Sequence, residues 1–190
     1  INFSLGKGDW LIKACHAYGG KAIATVTTAK HALAAQAQGA DAVMVTGHEA
    51  AAHGGEVTSL VLVPAIVDVV KIPVIACGGF ADQRGVLAAF ALGAEAVAMG
   101  SRFATVAESP LHQHIKQQVI AKDQHDTIYS PNFDGLPARY MKTPTAQKLT
   151  HKPMSFLVAA WQAFFAAIEL KVPLWKVLAG LLVEPQKIRL

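Results

Sequence analysis

From Gly47 to Glu56 the sequence reads Gly-His-Glu-Ala-Ala-Ala-His-Gly-Gly-Glu, two histidines and two carboxylates set among small residues. An imidazole, with a reference pKa near ~6.5, exchanges a proton close to neutral pH and suits general acid or base work. Small neighbours let a ligand approach the backbone closely. The His-Glu pair with a second histidine also invites a zinc reading, but His48 and His53 stand five residues apart. That interval is about 140° around a helix, whereas histidines sharing a metal on one helix take the four-residue interval that keeps them on one face. No metal site is expected. His48 is read as structural, and for residues in isolation a loop histidine satisfied by backbone is the commoner outcome for His53 as well.

Two further spots carry a different chemistry. Gly78-Gly79 follows the apolar run Pro73–Cys77 and precedes a helical segment beginning near Asp82, and Gly100-Ser101 follows the run Glu95–Met99. Consecutive glycines expose backbone N–H groups, and a helix start behind them adds positive partial charge, so both loops suit a phosphate. Neither has Walker A or GxGxxG spacing. Each alone reads as a plain turn; on adjacent strands of a barrel the two together form a phosphate site.

These loops need elements to hold them. Residues 35–45 and 90–99 repeat one pattern, a helix, a Gly stop and a buried strand without polar alternation, as expected when both sheet faces are covered. Reading outward predicts strands at Ile1–Leu5, Lys21–Val26, Asp41–Thr46, Pro73–Cys77 and Glu95–Met99. Helices are predicted at Trp10–Tyr18, Ala29–Gln38, Leu60–Val70 and Gln83–Leu92. Strict alternation predicts a parallel α/β sheet, whose reactive residues lie in loops after the strand C-termini. A helix is predicted at Pro110–Lys122, then a turn-rich excursion at 123–153, then packing helices at 156–168 and from 173 through 183. The expected division is 1–122 as the βα part and 123–190 as excursion and helical lid.

The 190 residues, 53% hydrophobic and 16% charged, describe a folded globular chain with a sizeable core. Cys15 and Cys77 are too few and too far apart for a disulfide framework, which favours a reducing, cytoplasmic setting. Residues 1–138 hold 9 Lys and Arg against 11 Asp and Glu, while 139–190 hold 8 against 2, so the net charge of +4 belongs to the tail. Its lysines are spaced singly with no aromatic interleaving, and no nucleic-acid partner is expected. The longest apolar run, 156–168, is shorter than the roughly 18 residues of a spanning helix, and no transmembrane segment is expected.

The segments GHEAAAHGG, PVIACGGFADQRG, LGAEAVAMGSRF and FDGLPAR, in this order and spacing, resemble the FMN-dependent nitronate monooxygenase (2-nitropropane dioxygenase) family. Flavin-dependent enoyl-ACP reductases and some NADH:quinone reductases share these motifs. The resemblance implies a (β/α)8 TIM barrel with FMN at the strand C-termini and a smaller C-terminal helical part. Five strands are counted against eight, so the sequence is expected to hold the later βα units, with about three more before Ile1. By resemblance, Gly78 and Gly79 receive the FMN phosphate, and Gly100 with the Ser101 hydroxyl closes that site. Ala51 lies against the flavin, Thr25 contacts the cofactor, and His53 takes the α-proton of a nitroalkane or steadies a nitronate. Where the family has Ala-Gly-Gly-His or Ala-Gly-His, this sequence has Ala50-Ala51-Ala52-His53, and the Ala52 methyl crowds the space near the cofactor.

Three readings follow. The leading one is oxidation of nitronates with O2 as small-molecule partner. A second is an NAD(P)H-dependent FMN reductase of enoyl-ACP or quinone, in which the basic tail meets an acidic carrier protein. The third is a non-catalytic half-barrel binding module. A homodimer through the apolar tail helices is among the expected assemblies.

Overall fold

In the computed structural model, which describes residues 1–4, 8–51, 53–132, 137–151 and 161, the apolar runs become a parallel sheet. Strands β1 (Asn2–Ser4), β2 (Ile23–Val26), β3 (Ala42–Thr46), β4 (Val74–Cys77) and β5 (Ala96–Ala98) lie in the order β1-β2-β3-β4-β5. Every neighbouring pair is parallel. Helices α1 (Asp9–Ala17), α2 (Ala29–Ala37), α3 (Ser59–Val67) and α4 (Gln83–Ala91) make the four crossovers. A spatial order that follows chain order is that of a barrel wall, whereas a doubly wound sheet reverses at a switch point. The expected α/β architecture, part of a (β/α)8 barrel, is the one observed.

One strand face packs on the helices. Ala24, Val26, Val43, Val45, Val74 and Ala76 cluster with Ala32, Ala35, Leu62, Val63, Ile66 and Ala89. Burial of a Val or Ile side chain contributes about 1.5–3 kcal/mol, so Val43, Val45, Val63 and Ile66, all fully buried, anchor this layer. The period of two sends Thr25, Met44, Thr46, Ile75, Cys77 and Ala98 to the other face, which in a closed barrel is the interior.

The repeat seen in the sequence has a structural counterpart. Gly39 (φ 93°) and Gly93 (φ 91°) end α2 and α4 in the left-handed region, and the next residue turns back so that Ala40 N donates to Ala35 O and Ala94 N to Ala89 O, each at 3.0 Å. The chain then enters β3 or β5 directly.

Asp41, at the foot of β3, ties that entry down. Its carboxylate accepts from Ala22 N (2.8 Å), His16 Nε2 (2.7 Å) and Lys21 Nζ (2.9 Å). The Ala22 amide first, then His16 and Lys21, hold the carboxyl far below the usual carboxylate range. A folded-state pKa below the unfolded value of about 3.9 means that this stabilisation is present above that pH and is lost as the pH falls through the folded value. Asp41→Ala leaves the Ala22 amide unpaired next to a fully buried side chain. It is expected to cost about 1–3 kcal/mol at pH 7. Urea unfolding at pH 7 and at pH 3 checks this, and a difference between wild type and variant that grows on acidification would refute the assignment.

Compact units span Ile1–Asp123 and Gln124–Leu190. The first also holds α5 (Ser101–Ala104) and α6 (Gln113–Ile120). Helix α6 starts later than the sequence predicts, because His112 is its N-cap with ψ 137° and its ring accepts from His114 N. Lys116, 5% exposed, donates from Nζ to Ala107 O (3.1 Å) and Ser109 O (2.8 Å), which fixes the loop ahead of α6. In the second unit, the stretch expected as irregular excursion contains the antiparallel pair β6 (Thr127–Ser130) and β7 (Ala138–Met141), followed by α7 (Pro144–His151). The prolines and glycine between the two strands masked two runs of β-forming residues whose pairing is a tertiary event. The helices expected at 156–168 and 173–183 lie outside the described residues. No helix among the described residues is long and apolar enough to cross a membrane.

Candidate functional site

The register brings three loops to one sheet edge. Thr46 pairs with Cys77 and Cys77 with Ala98, so Gly47, Gly78 and Met99 leave neighbouring strands at the same level. Both sequence-marked glycine loops and the His-Glu loop therefore share the C-terminal end of the strands, where βα architectures place their chemistry.

The loop after β3 is pinched into a compact turn. Gly47 N donates to Cys77 O (3.1 Å), Ala50 N to Gly47 O (3.1 Å) and His48 N to Val57 O (2.9 Å). Gly54 is buried so close to this turn that a Cβ on it would sit 2.7 Å from Gly47 O. The His48 ring lies with Nδ1 3.2 Å from Gly55 O, so that nitrogen carries the proton and the ring braces the loop, in keeping with a structural role. Ala51 and His53 lie exposed on the same turn. Ala52, whose methyl was expected to crowd the cofactor, lies outside the described residues.

Glu49 turns inward instead of facing solvent. Ser59 N donates to both of its carboxylate oxygens, at 3.1 and 2.9 Å, and Ser59 Oγ lies 2.9 Å from Oε2 and 2.8 Å from Gly78 O. The carboxylate thus fills the N-terminus of α3. At the next helix Asp82 does the same, accepting from Arg84 N (3.0 Å) and Gly85 N (3.3 Å). The Arg84 guanidinium and then the Gly85 amide hold the Asp82 carboxyl below its ordinary value. The positive start of α4 is therefore taken by the chain itself, and an anion at Gly78-Gly79 depends on the glycine amides rather than on the helix end expected behind them.

Those glycines have unusual backbones. Gly78 (φ 105°) is buried against Ala50, while Gly79 (φ 80°) is exposed. Among the described residues no acceptor pairs with the Gly79 N–H. A Cβ built on Gly100, one strand over, meets nothing within 4 Å, so open space lies in front of it, with the exposed Ser101 beside it. Exposed amides at a left-handed glycine and an uncrowded second glycine fit a phosphate group.

Thr25 is placed differently from the rest. It pairs with Met44, two residues below the Thr46 level, and its hydroxyl donates to Asn2 Oδ1 (2.9 Å). At the upper level is Thr46, which the sequence reading treated only as strand. It is 7% exposed and its Oγ1 is buried with no hydrogen-bond partner, an orphaned hydroxyl on the inner face beside Cys77. Only an alternation of faces that the register reveals could have marked it. Burial pushes the Cys77 thiol up, away from thiolate chemistry.

Similarity to known proteins follows the same residues. A sequence profile described as Nitronate monooxygenase matches residues 1–169. The chain is 41% identical over 160 residues to a (3aS,4S,5R,7aS)-5-hydroxy-7a-methyl-1-oxo-octahydro-1H-indene-4-carboxyl-CoA dehydrogenase of Rhodococcus jostii, covering 84% of this chain and 45% of that protein. It is 41% identical over 129 residues to a probable nitronate monooxygenase of Staphylococcus aureus, covering 63% of this chain and 36% of that protein. Among solved structures, FabK from Thermotoga maritima superposes with a TM-score of 0.74 at 42% identity, over 79% of this chain and 48% of that one. A nitroalkane oxidase from Streptomyces ansochromogenes gives 0.69 at 27% identity, over 79% and 47%. This chain spans less than half the length of each of these relatives.

Proposed function

Because the chain belongs to the nitronate monooxygenase family of oxidoreductases, we propose that it oxidises alkyl nitronates with O2, with FMN as its flavin and His53 as its acid-base group. The observation that carries the reading is the shared sheet edge, which brings His53, Ala51 and the Gly78-Gly79 pair onto two contacting loops beside Gly100 and Ser101. When bound, the flavin takes electrons from the substrate and delivers them to oxygen.

The residues of this chain do the rest. The Gly79 amide and the Ser101 hydroxyl would hold the FMN phosphate, with Gly78 and Gly100 giving the backbone close approach. Ala51, with only a methyl, leaves room for the ring system, and Thr25 would stand one layer deeper. His53, exposed on the compact turn, would meet a small substrate and hold or take its α-proton on an imidazole nitrogen. In this proposal residues 1–122 carry the cofactor and 123–190 act as an appended helical part, and the protein works in the cytoplasm.

A second reading has an observation of its own. The relative covering 84% of this chain is a CoA-thioester dehydrogenase, and a thioester acidifies its α-carbon as a nitro group does. The same histidine would then hand a proton to the α-carbon of an enoyl-CoA or enoyl-ACP substrate, with NAD(P)H as the electron donor in a reductase.

An anaerobic visible spectrum of the purified protein decides between them. Flavin bands that persist on adding NADH or NADPH, but bleach with an alkyl nitronate, are the expected result. Bleaching by the nicotinamide would move the assignment to the reductase reading, and a spectrum with no flavin bands at all would favour the non-catalytic module or a cofactor lost in purification.

A further inference from the structure

Ser59 and Glu49 have no part in the acid-base or cofactor roles above, yet they form the most connected polar cluster at the sheet edge. Ser59 is 4% exposed and its Oγ lies 2.8 Å from the carbonyl oxygen of Gly78. A trans peptide is planar, with its C=O and N–H pointing in opposite directions. Holding the Gly78 carbonyl toward Ser59 therefore aims the N–H of Gly79, in the same peptide, the other way, toward the exposed rim. The peptide before it is held likewise, Cys77 O accepting from Gly47 N at 3.1 Å.

Glu49 completes the clamp. Ser59 N donates to both carboxylate oxygens, which keeps the side chain in one place. Its methylenes lie under Gly79, so that a Cβ built there would be 3.3 Å from Glu49 Cβ and 3.4 Å from Cγ. A carboxylate this near an anion site would repel a phosphate if it swung free. Held at the start of α3, a helix of nine residues, its charge is offset by the amide end of that helix.

We infer that Ser59 and Glu49 are positioning residues that orient the Gly78-Gly79 peptide toward the phosphate of the flavin, and so set the preference for a phosphorylated flavin over an unphosphorylated one. The inference rests on the phosphate role given above to Gly79. It goes further by assigning that loop's geometry to a serine and a glutamate on two other segments.

The test is a pair of titrations on the full chain, FMN against riboflavin, each followed by flavin fluorescence. Wild type is expected to prefer FMN. Ser59→Ala is expected to lose about tenfold in FMN affinity, with riboflavin affinity changed less than about twofold. Glu49→Ala should behave like Ser59→Ala, whereas Glu49→Gln, which keeps an oxygen to accept from Ser59 N, should retain most of the preference. Equal weakening of both ligands would show that the cluster only supports the fold, and would overturn the inference. A wild type that binds FMN no tighter than riboflavin would instead overturn the phosphate reading of Gly79, a separate failure. Should Ser59→Ala not fold, the contrast between Glu49→Ala and Glu49→Gln still decides.

Discussion

Replacing His53 by Asn is expected to lower turnover of a neutral nitroalkane by a factor of ~10²–10⁴, the usual worth of a positioned general base. The preformed nitronate, which has already lost its α-proton, should lose far less. The asymmetry follows from the place of the residue. His53 stands exposed on a turn that Gly54 against Gly47 O and the His48 ring near Gly55 O help to hold shut, and in the proposed role the substitution removes the group that takes the proton. Asn keeps polarity and hydrogen-bonding capacity but cannot take a proton near neutral pH. Steady-state rates on the two ionisation states of one substrate read the difference directly. Equal losses on both would mean that His53 orients the substrate without moving its proton, and no loss on the neutral form would end the base assignment.

The second large effect separates two glycines that the sequence treats alike. Gly78→Ala places an L side chain at φ 105°, with its Cβ 3.0 Å from Ala50 N, 3.1 Å from Ala50 Cβ and 3.2 Å from Ser59 Oγ. Backbone strain of this kind costs about 1–3 kcal/mol. The crowding adds to it, because two of the three neighbours belong to a backbone turn that is itself hydrogen-bonded. A loss of about 2–4 kcal/mol is expected, or a fall of roughly 4–16 °C in melting temperature for a chain of this size. Gly100→Ala meets nothing within 4 Å, and its φ of −80° is ordinary. It should leave stability within about 0.5 kcal/mol, as surface substitutions do. Its methyl nevertheless enters the open space given to the phosphate, so FMN affinity should fall. Calorimetry and an FMN titration on both variants check the pair. An unchanged FMN affinity in Gly100→Ala would remove Gly100 from the site.

Much of the fold was legible because the signals were local. The run Ala42–Thr46 is apolar without alternation, Gly39 and Gly93 stop their helices, and Thr28 and Asp82 start theirs. Each depends on residues within a few positions along the chain. The same locality made the His-Glu loop and both glycine loops visible, since a strand followed by small residues marks a junction in βα architecture whatever surrounds it. The pair β6 and β7 was missed because the prolines and glycine between them masked two short β-forming runs. Each is made by the other, through the register Thr127 to Met141.

Depth and orientation within the site were not legible in the same way. Thr25 and Thr46 are both threonines near strand ends, and only the register sets one with its hydroxyl on Asn2 and leaves the other buried and unpaired one level higher. Glu49 stood in the sequence as one carboxylate among several in a polar loop. Its inward turn depends on Ser59, ten residues on, and on Gly78, on the next strand. By itself the sequence determined the alternation of elements, the parallel sheet and the residue types gathered at its edge, because these follow from periodicity and from backbone preferences of single residues. The tertiary structure alone decided which polar groups are used up inside the fold and which are left for a ligand. A hydrogen bond between distant segments is a matter of distance and direction in space, and no spacing along the chain encodes either.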